Sequence, residues 1–388
     1  MRKIQIALVE GDGSAPEIMR EATKIVIEAA KMDNIKIEFV LTPIGWNAYE
    51  KYGDTFPAES FQKASELKLL FFGGVGDPKF DTTLGKENPS LMPEVRALLT
   101  IRKEWGLLLN FRPIIYFKSL DHLVNVRPET IPDKGIEQVW IRFLLEDSYF
   151  GNADLKDKIS AKERMILGIK EKAEVTGEEE IITDLSYYRK ETIEKYLRAA
   201  FAYAEKKGLP LISIDKANAI SRYKYWREIC TRITKEFPNV PCTHQLVDSA
   251  NALLFTPAKL HGVIVCGNEH GDILSDGAAS ALGSMGLMCG SAINPDTGAA
   301  MFESGAGTAP LLTGKDVVNP IGRILTGAMM LRHVGAEKGA EAIEKAVYKF
   351  LIDGNRTLDL ASQNDSLEKI VGTKKTSEII LNFLKSNK

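Results

Sequence analysis

The chain has 388 residues, which at about 150 residues per domain implies two or three domains and ample length to bury a core. Its 50 Lys and Arg nearly balance 52 Asp and Glu, a formal charge of −2, so there is no cationic excess to hold nucleic acid. With 44% hydrophobic and 26% charged residues, the composition is that of an ordinary globular protein rather than a disordered or fibrous one.

The chain opens on a strand-length apolar run, Ile4 to Val9, followed by a turn rather than a small-residue cleavage site, so no secretory leader is expected. GDGSAPE then reads as a tight turn into a helix running through Lys31, with Ser14 as N-cap and Pro16 in the first turn. It lacks the GxGxxG spacing, so an ordinary Rossmann dinucleotide site is not supported. IKIEFVL, LKLLFFGGVGDP, VWIRFLL, LPLISIDKAN and HGVIVCGN supply further strand-like runs between helical patterns. That alternation predicts an α/β architecture with a largely parallel sheet.

The stretch from about 152 to 180 is charged and aperiodic, which predicts an insertion or arm. TIEKYLRAAFAYAEKKG follows, with Ile193, Tyr196, Leu197, Ala200, Phe201 and Ala204 on one helical face and Gly208 as the stop. NPIGRILTGAMMLRHVG and AEAIEKAVYKFLIDG predict two packed helices, with Met329 and Met330 as core filler. The four cysteines, Cys230, Cys242, Cys266 and Cys289, show no CxxC pair and are too few for a disulfide framework. With no apolar run near the roughly 20 residues of a membrane span, a reducing cytoplasm is the expected location.

The chemistry-bearing positions begin with Asp272 and Asp276, four residues apart and so on one helical face. Two such carboxylates suit a hard divalent cation, although most pairs at this spacing are solvated. Arg102, Arg112 and Arg142 lie beside apolar residues, where guanidinium groups grip carboxylates bidentately or form structural salt bridges. Lys216 ends a strand, as a base would if drawn into a buried site, though exposed lysines are commoner. Tyr149 follows another strand, either as a proton donor or as a half-buried packing residue. Asp248 reads as a third metal ligand or a helix cap, and His270, beside the acidic pair, as a polar loop residue or a contact to substrate or cofactor. The absence of HExxH, GxSxG and GxxxxGK[ST] argues against zinc enzymes, acyl hydrolases and P-loop enzymes.

Taken in order, GDGSAPE, FFGGVGDPKFD, IRKEWGLLLNFRP, IRFLLEDSYFG, DKAN, LVDSAN, GNEHGDILSD and NPIGRILTGAMMLRH resemble the isocitrate/3-isopropylmalate dehydrogenase family, from Ile4 to about Gly335. The resemblance implies a two-domain α/β subunit with a mixed sheet and no Rossmann site. Residues 1–107 with 283–388 would form the cofactor-side domain, and 108–282 the dimer-forming one, with an arm around 152–190. It further implies a homodimer with shared active sites and no role for nucleic acid or membrane. Arg102, Arg112 and Arg142 become the substrate clamp. Asp248, Asp272 and Asp276 become ligands of Mg2+ or Mn2+, and Tyr149, Lys216 and Asp248 the catalytic set, with Lys216 and Asp248 serving the neighbouring chain's cleft. Gly74, Asn268, Glu303, Gly307 and Asn319 become cofactor-side positions.

The implied reaction is metal-dependent oxidative decarboxylation of a 3-substituted malate, with hydride passing to NAD rather than NADP. Leu98 and Leu99, one helical turn before Arg102, favour a branched alkyl group, as in 3-isopropylmalate, over isocitrate, homoisocitrate, tartrate or malate. Two departures stand out. PEVRALL is one residue longer than the isopropylmalate pattern, putting Val95 or Arg96 where an acid is expected. ESGAGTAPLLTGK carries Ala306 and Leu311 where the family has a histidine and a ribose-binding acid, which leaves a catalytically silent, ligand-binding member as the alternative.

Overall fold

The computed structural model describes residues 1–132, 135–150, 186–305 and 307–386. Ten strands form one sheet in the order β2-β1-β3-β10-β9-β4-β5-β8-β6-β7. The terminal segments supply β1 (Arg2–Val9), β2 (Ile35–Leu41), β3 (Leu69–Phe72), β9 (Cys289–Ile293) and β10 (Ala300–Ser304). The middle of the chain supplies β4 (Leu109–Ile115), β5 (Glu137–Phe143), β6 (Leu211–Asp215), β7 (Cys242–Leu246) and β8 (Gly262–Cys266). Both outer groups pair in parallel, whereas β10 with β9, β9 with β4, and β4 with β5 are antiparallel. The sheet is therefore mixed, and its antiparallel centre is not announced by alternation of strands and helices.

Helices cover both faces, so β6 and β8 are buried along their whole length, as continuous apolar runs require when neither face meets water. On one face of the terminal half, Ala15–Ala30, Ile321–His333, Glu337–Ile352 and Thr373–Ser386 pack a core that includes Ile25, Phe71, Phe302, Ile324 and Phe350. Met330 lies within it and Met329 packs against it, as the sequence indicated. In the middle half, Lys190–Lys207 buries Ile193, Tyr196, Leu197, Ala200, Phe201 and Ala204 and stops at Gly208, whose φ of 66° suits glycine.

Three local expectations are corrected. Ser14 precedes the first helix, but its hydroxyl donates to the Thr308 carbonyl at 2.8 Å instead of capping. Asp248 is not a cap either, because it sits inside the first turn of Val247–Leu253 after Leu246. His270 is no loop residue: it lies in the helix Asn268–Ala281 and stacks on Tyr223 with ring centroids 5.0 Å apart. The arm expected at 152–190 falls, up to residue 185, outside the described residues, and so does Ala306.

Candidate active site

The register of β4 and β5 builds the site. Asn110 pairs with Arg142 and Arg112 with Trp140, so period-two alternation puts Asn110, Arg112 and Arg142 on one face. The helix Asn268–Ala281 crosses that face. Gly271 permits the close approach, since a Cβ there would meet the Arg142 side chain at 2.8 Å.

Arg112 bridges the two predicted metal ligands. Its Nη2 donates to Asp272 Oδ1 at 2.9 Å and its Nη1 to Asp276 Oδ1 at 3.0 Å and to Ser275 Oγ at 2.8 Å, while Nε donates to Asn110 Oδ1 at 2.9 Å. Arg142, 2% exposed, donates from Nε to Asn268 Oδ1 at 2.8 Å and from Nη1 to Asp272. Burial, with the like charge of Arg112, pushes the Arg142 pKa down to about 10, so it stays cationic at neutral pH. Tyr149 donates its hydroxyl to Asp272 Oδ2 at 2.9 Å, beneath the Arg142 guanidinium, which stands 5.1 Å from its ring centroid.

The two aspartates differ electrostatically. Burial works against ionisation of Asp272, but Arg142 and Arg112 outweigh it and hold its carboxyl below the usual range. At Asp276 burial prevails over Arg112 and raises the pKa. Arg102, in the helix Thr100–Glu104, stands near enough for its charge to act on Arg142 and donates to Glu303 Oε1 at 2.7 Å. Burial opposes the Glu303 charge, and Arg102 reverses the balance, keeping that carboxyl below the ordinary value.

Lys216 follows β6 directly and pairs with Asp248 at 2.6 Å. Among the described residues, no three His, Cys, Asp or Glu side chains gather closely enough to hold a metal. Asp248 is therefore not brought to Asp272 and Asp276 within one chain.

Several cofactor-side expectations change character. Asn268 is enclosed: its Oδ1 accepts from Arg142 and its Nδ2 donates to the Leu144 carbonyl at 2.7 Å, so it supports the clamp. The Asn319 amide is committed to the Gly286 carbonyl and Asp359, and its oxygen to the Ile321 N–H. Glu303 is the partner of Arg102. Gly74 offers its carbonyl to the Asp12 N–H at 2.8 Å, and Gly307 has open space where a Cβ would stand.

Leu98 and Leu99 are half-buried, and Leu98 packs against the core containing Ala97, Ile101 and Trp105. They belong to a π-helical turn, Glu94–Leu99. A π turn accommodates one extra residue, which accounts for the added length of PEVRALL. Arg96 pairs with Asp54 at 2.7 Å and Val95 is exposed. Sequence reasoning missed Asn110 and Ser275 as supports of Arg112, although Asn110, two residues before Arg112 on a strand, was visible as a same-face neighbour.

A separate cavity of about 650 Å3 opens on the opposite face of the sheet, lined by Phe111, Pro113, Tyr203, Ile293 and Met329 among others. Arg112 and Arg142 point away from it, so it is not where the described chemistry resides.

The donor set fits a divalent cation in part. Asp272 and Asp276 present hard carboxylate oxygens near one point, as their shared contact with Arg112 shows. Leu311 is 86% exposed and gives a ribose no carboxylate.

This fold and this pairing of arginines with acids on one helix define a dehydrogenase of carboxylate substrates, and residues 5–380 match the family model described as isocitrate/isopropylmalate dehydrogenase. The chain belongs to that family. It is 36% identical over 365 residues to 3-isopropylmalate dehydrogenase of Haemophilus influenzae, covering 94% of this chain and 96% of the relative. The corresponding enzyme of Pectobacterium atrosepticum is 33% identical, covering 99% and 98%. Among solved structures, isocitrate dehydrogenase from Methylococcus capsulatus aligns with a TM-score of 0.78 at 28% identity, covering 99% and 100%. A β-decarboxylating dehydrogenase from Thermococcus kodakarensis aligns at 0.73 and 26%, covering 99% and 96%. Dinucleotide and divalent-metal dependence are general to the family, and among the described residues no helix is long and apolar enough to cross a membrane.

Proposed function

We propose that this protein oxidatively decarboxylates a 3-alkylmalate, with 3-isopropylmalate as its best substrate, using NAD and Mg2+ or Mn2+. The observation that carries the reading is the convergence of Arg112, Arg142, Tyr149, Asp272 and Asp276 on one patch of β4, β5 and the helix that crosses them. Arg112 and Arg142 bind the substrate carboxylates, exchanging the aspartates for the ligand, while Arg102 completes the clamp. Leu98 and Leu99 face the alkyl group.

Asp272 and Asp276 hold the metal, completed by Asp248 from a second copy of the chain in a homodimer, which also contributes Lys216 as base. That assignment explains why the Lys216–Asp248 pair stays apart from the cluster within one chain. When bound, a divalent cation held by Asp272 and Asp276 would supply positive charge, and a nicotinamide would supply the two-electron oxidant. Lys216 takes the hydroxyl proton as the C2 carbonyl forms. The bond from C3 to its carboxyl group then breaks, CO2 leaves, and the electron pair becomes the C2–C3 enolate. Tyr149 gives its O–H proton to C3. We assign residues 1–107 with 283–388, and 108–282, to two domains meeting at the β4–β9 pairing.

The test is turnover by the purified protein with Mg2+ and NAD or NADP on 3-isopropylmalate, isocitrate, homoisocitrate, malate and tartrate. The expected result is highest kcat/KM with 3-isopropylmalate and NAD. Turnover of none overturns the reading. Calorimetric binding of metal and substrate without dinucleotide would instead favour a silent member, the outcome to which the exposed Leu311 points.

A further inference from the structure

Between β5 and Tyr149 the backbone places two consecutive non-glycine residues in the left-handed region, Glu146 at φ 66° and Asp147 at φ 63°. L-residues other than glycine adopt this region at a cost, somewhat less for aspartate. Both are buried, at 3% and 0% exposure. Glycine would adopt these angles freely. The carboxylates therefore do something that the backbone alone does not require.

What they do is anchor the turn from two sides. The Glu146 carboxylate accepts from the Arg189 N–H at 2.7 Å, Arg189 Nη1 at 2.9 Å and Thr192 Oγ1 at 3.0 Å. The Asp147 carboxylate accepts from Ser186 Oγ, from the Tyr188 hydroxyl, and at 3.4 Å from Arg222 Nη2. It also accepts at 3.4 Å from the Glu269 N–H, at the start of the helix that carries Asp272. Ser148 adds a bond from Oγ to Glu269 Oε2 at 3.1 Å. Two residues past Asp147, the Tyr149 hydroxyl reaches Asp272. The turn is thus tied both to the strand-distal helix beginning at Lys190 and to the helix bearing the acids.

We propose that Glu146 and Asp147 are positioning residues for Tyr149: their buried carboxylates hold a strained left-handed turn that presets the tyrosine hydroxyl beside Asp272. This rests on the reading of Tyr149 as proton donor. Strain retained where surrounding bonds over-determine it is a mark of such presetting. Both carboxylates are taken up by protein donors. Their effect is to remove loop motion from the proton-transfer step.

The experiment uses the full-length protein, wild type and three variants: Tyr149→Phe, Asp147→Asn, and the double change Glu146→Gly with Asp147→Gly, which relieves the strain while deleting both anchors. One readout is the exchange of C3 protons of 4-methyl-2-oxopentanoate, the 2-oxo product of 3-isopropylmalate, in deuterated water with Mg2+ and no dinucleotide. The second is the fluorine spectrum of protein labelled with fluorotyrosine, in which residue 149 is assigned by its loss in Tyr149→Phe.

The glycine pair is expected to slow exchange at least tenfold, lower kcat with KM unchanged, and broaden or shift the residue 149 resonance. Asp147→Asn, which tolerates the left-handed backbone and keeps one acceptor, should recover part of each. Wild-type exchange and an unmoved resonance in the glycine pair overturn the proposal. If Tyr149→Phe exchanges like wild type, or wild type itself exchanges nothing, the donor assignment falls, and the resonance alone still decides whether the pair fixes the ring. Should the glycine pair not fold, Asp147→Asn carries both readouts, and an unmoved resonance with wild-type kcat in it overturns the proposal.

Discussion

Arg112 and Asp276 lie 3.0 Å apart, and the other terminal nitrogen of the same guanidinium is 2.9 Å from Asp272. One guanidinium thus bridges both carboxylates proposed to bind a metal, so a bound cation competes with Arg112 for their oxygens. Asp276→Asn should raise the Kd for Mn2+ at least tenfold, about 1.4 kcal/mol, with little change in Tm because Asp276 is half exposed. Asp272→Asn should weaken Mn2+ equally and also destabilise the fold by about 3 kcal/mol, because it strips the buried Arg142 of its charge partner. Mn2+ titration by electron paramagnetic resonance and thermal melting separate the two, and wild-type affinity in both variants would remove them as ligands.

Tyr149 is 44% exposed and its hydroxyl contacts Asp272. Tyr149→Phe should therefore leave Tm within a degree or two while lowering kcat about 100-fold or more, the usual worth of a positioned proton donor. A loss of substrate affinity with kcat intact would assign the hydroxyl to binding instead.

The Arg102–Glu303 pair makes stability depend on pH. Because the folded carboxyl is held below its ordinary value, the pairing contributes fully above the unfolded value of about 4.3 and is lost as pH falls through the folded one. Glu303→Gln should cost about 3 kcal/mol at neutral pH by leaving the buried Arg102 unpaired, and the difference from wild type should shrink below about pH 4. Urea unfolding at both pH values measures this, and a pH-independent difference would deny the linkage.

Leu98 packs partly into the core, whereas among the described residues Leu99 is half-buried and not part of that cluster. Leu99→Ala should accordingly change selectivity more than stability, lowering the ratio of kcat/KM for 3-isopropylmalate over 3-methylmalate about tenfold or more. An unchanged ratio would remove Leu99 from the alkyl pocket.

Cys230 and Cys242 are 3.9 Å apart, Sγ to Sγ, across the helix Ser221–Thr234 and β7. The hydrogen bond between them lowers the pKa of the half-exposed Cys242 and raises that of the buried Cys230. Iodoacetamide at neutral pH should label Cys242 first among the four thiols, and peptide mapping by mass spectrometry will show which is modified. Cys230→Ala, which removes the donor, should slow that labelling.

Much of this molecule was readable from residue order alone. The helix Lys190–Lys207 buries the six residues its spacing singled out, because a 3.6-residue period maps directly onto one face. The strands β6 and β8 followed from apolar runs between turn signals. Asp272 and Asp276 shared a helical face as their spacing required. The extra residue in PEVRALL was visible too, but its absorption in a π turn was not, since that depends on how Ala97 and Ile101 must pack.

What the linear sequence determined was part of the inventory: the strands β1, β2, β3, β5, β6 and β8, the long helices, the acids, arginines and tyrosine that carry charge and protons, and the family they spell, whereas β4, β7, β9 and β10 were not read from it. The three-dimensional fold decided the partnerships. Arg142 with Asn268, Arg102 with Glu303, Lys216 with Asp248 and Asp147 with Ser186 join side chains separated by 126, 201, 32 and 39 positions. Short-range periodicity fixes local conformation because it is a property of neighbouring backbone. Pairings at such separations are set only when strands and helices pack, since buried polar groups take whichever partner the packing brings within reach.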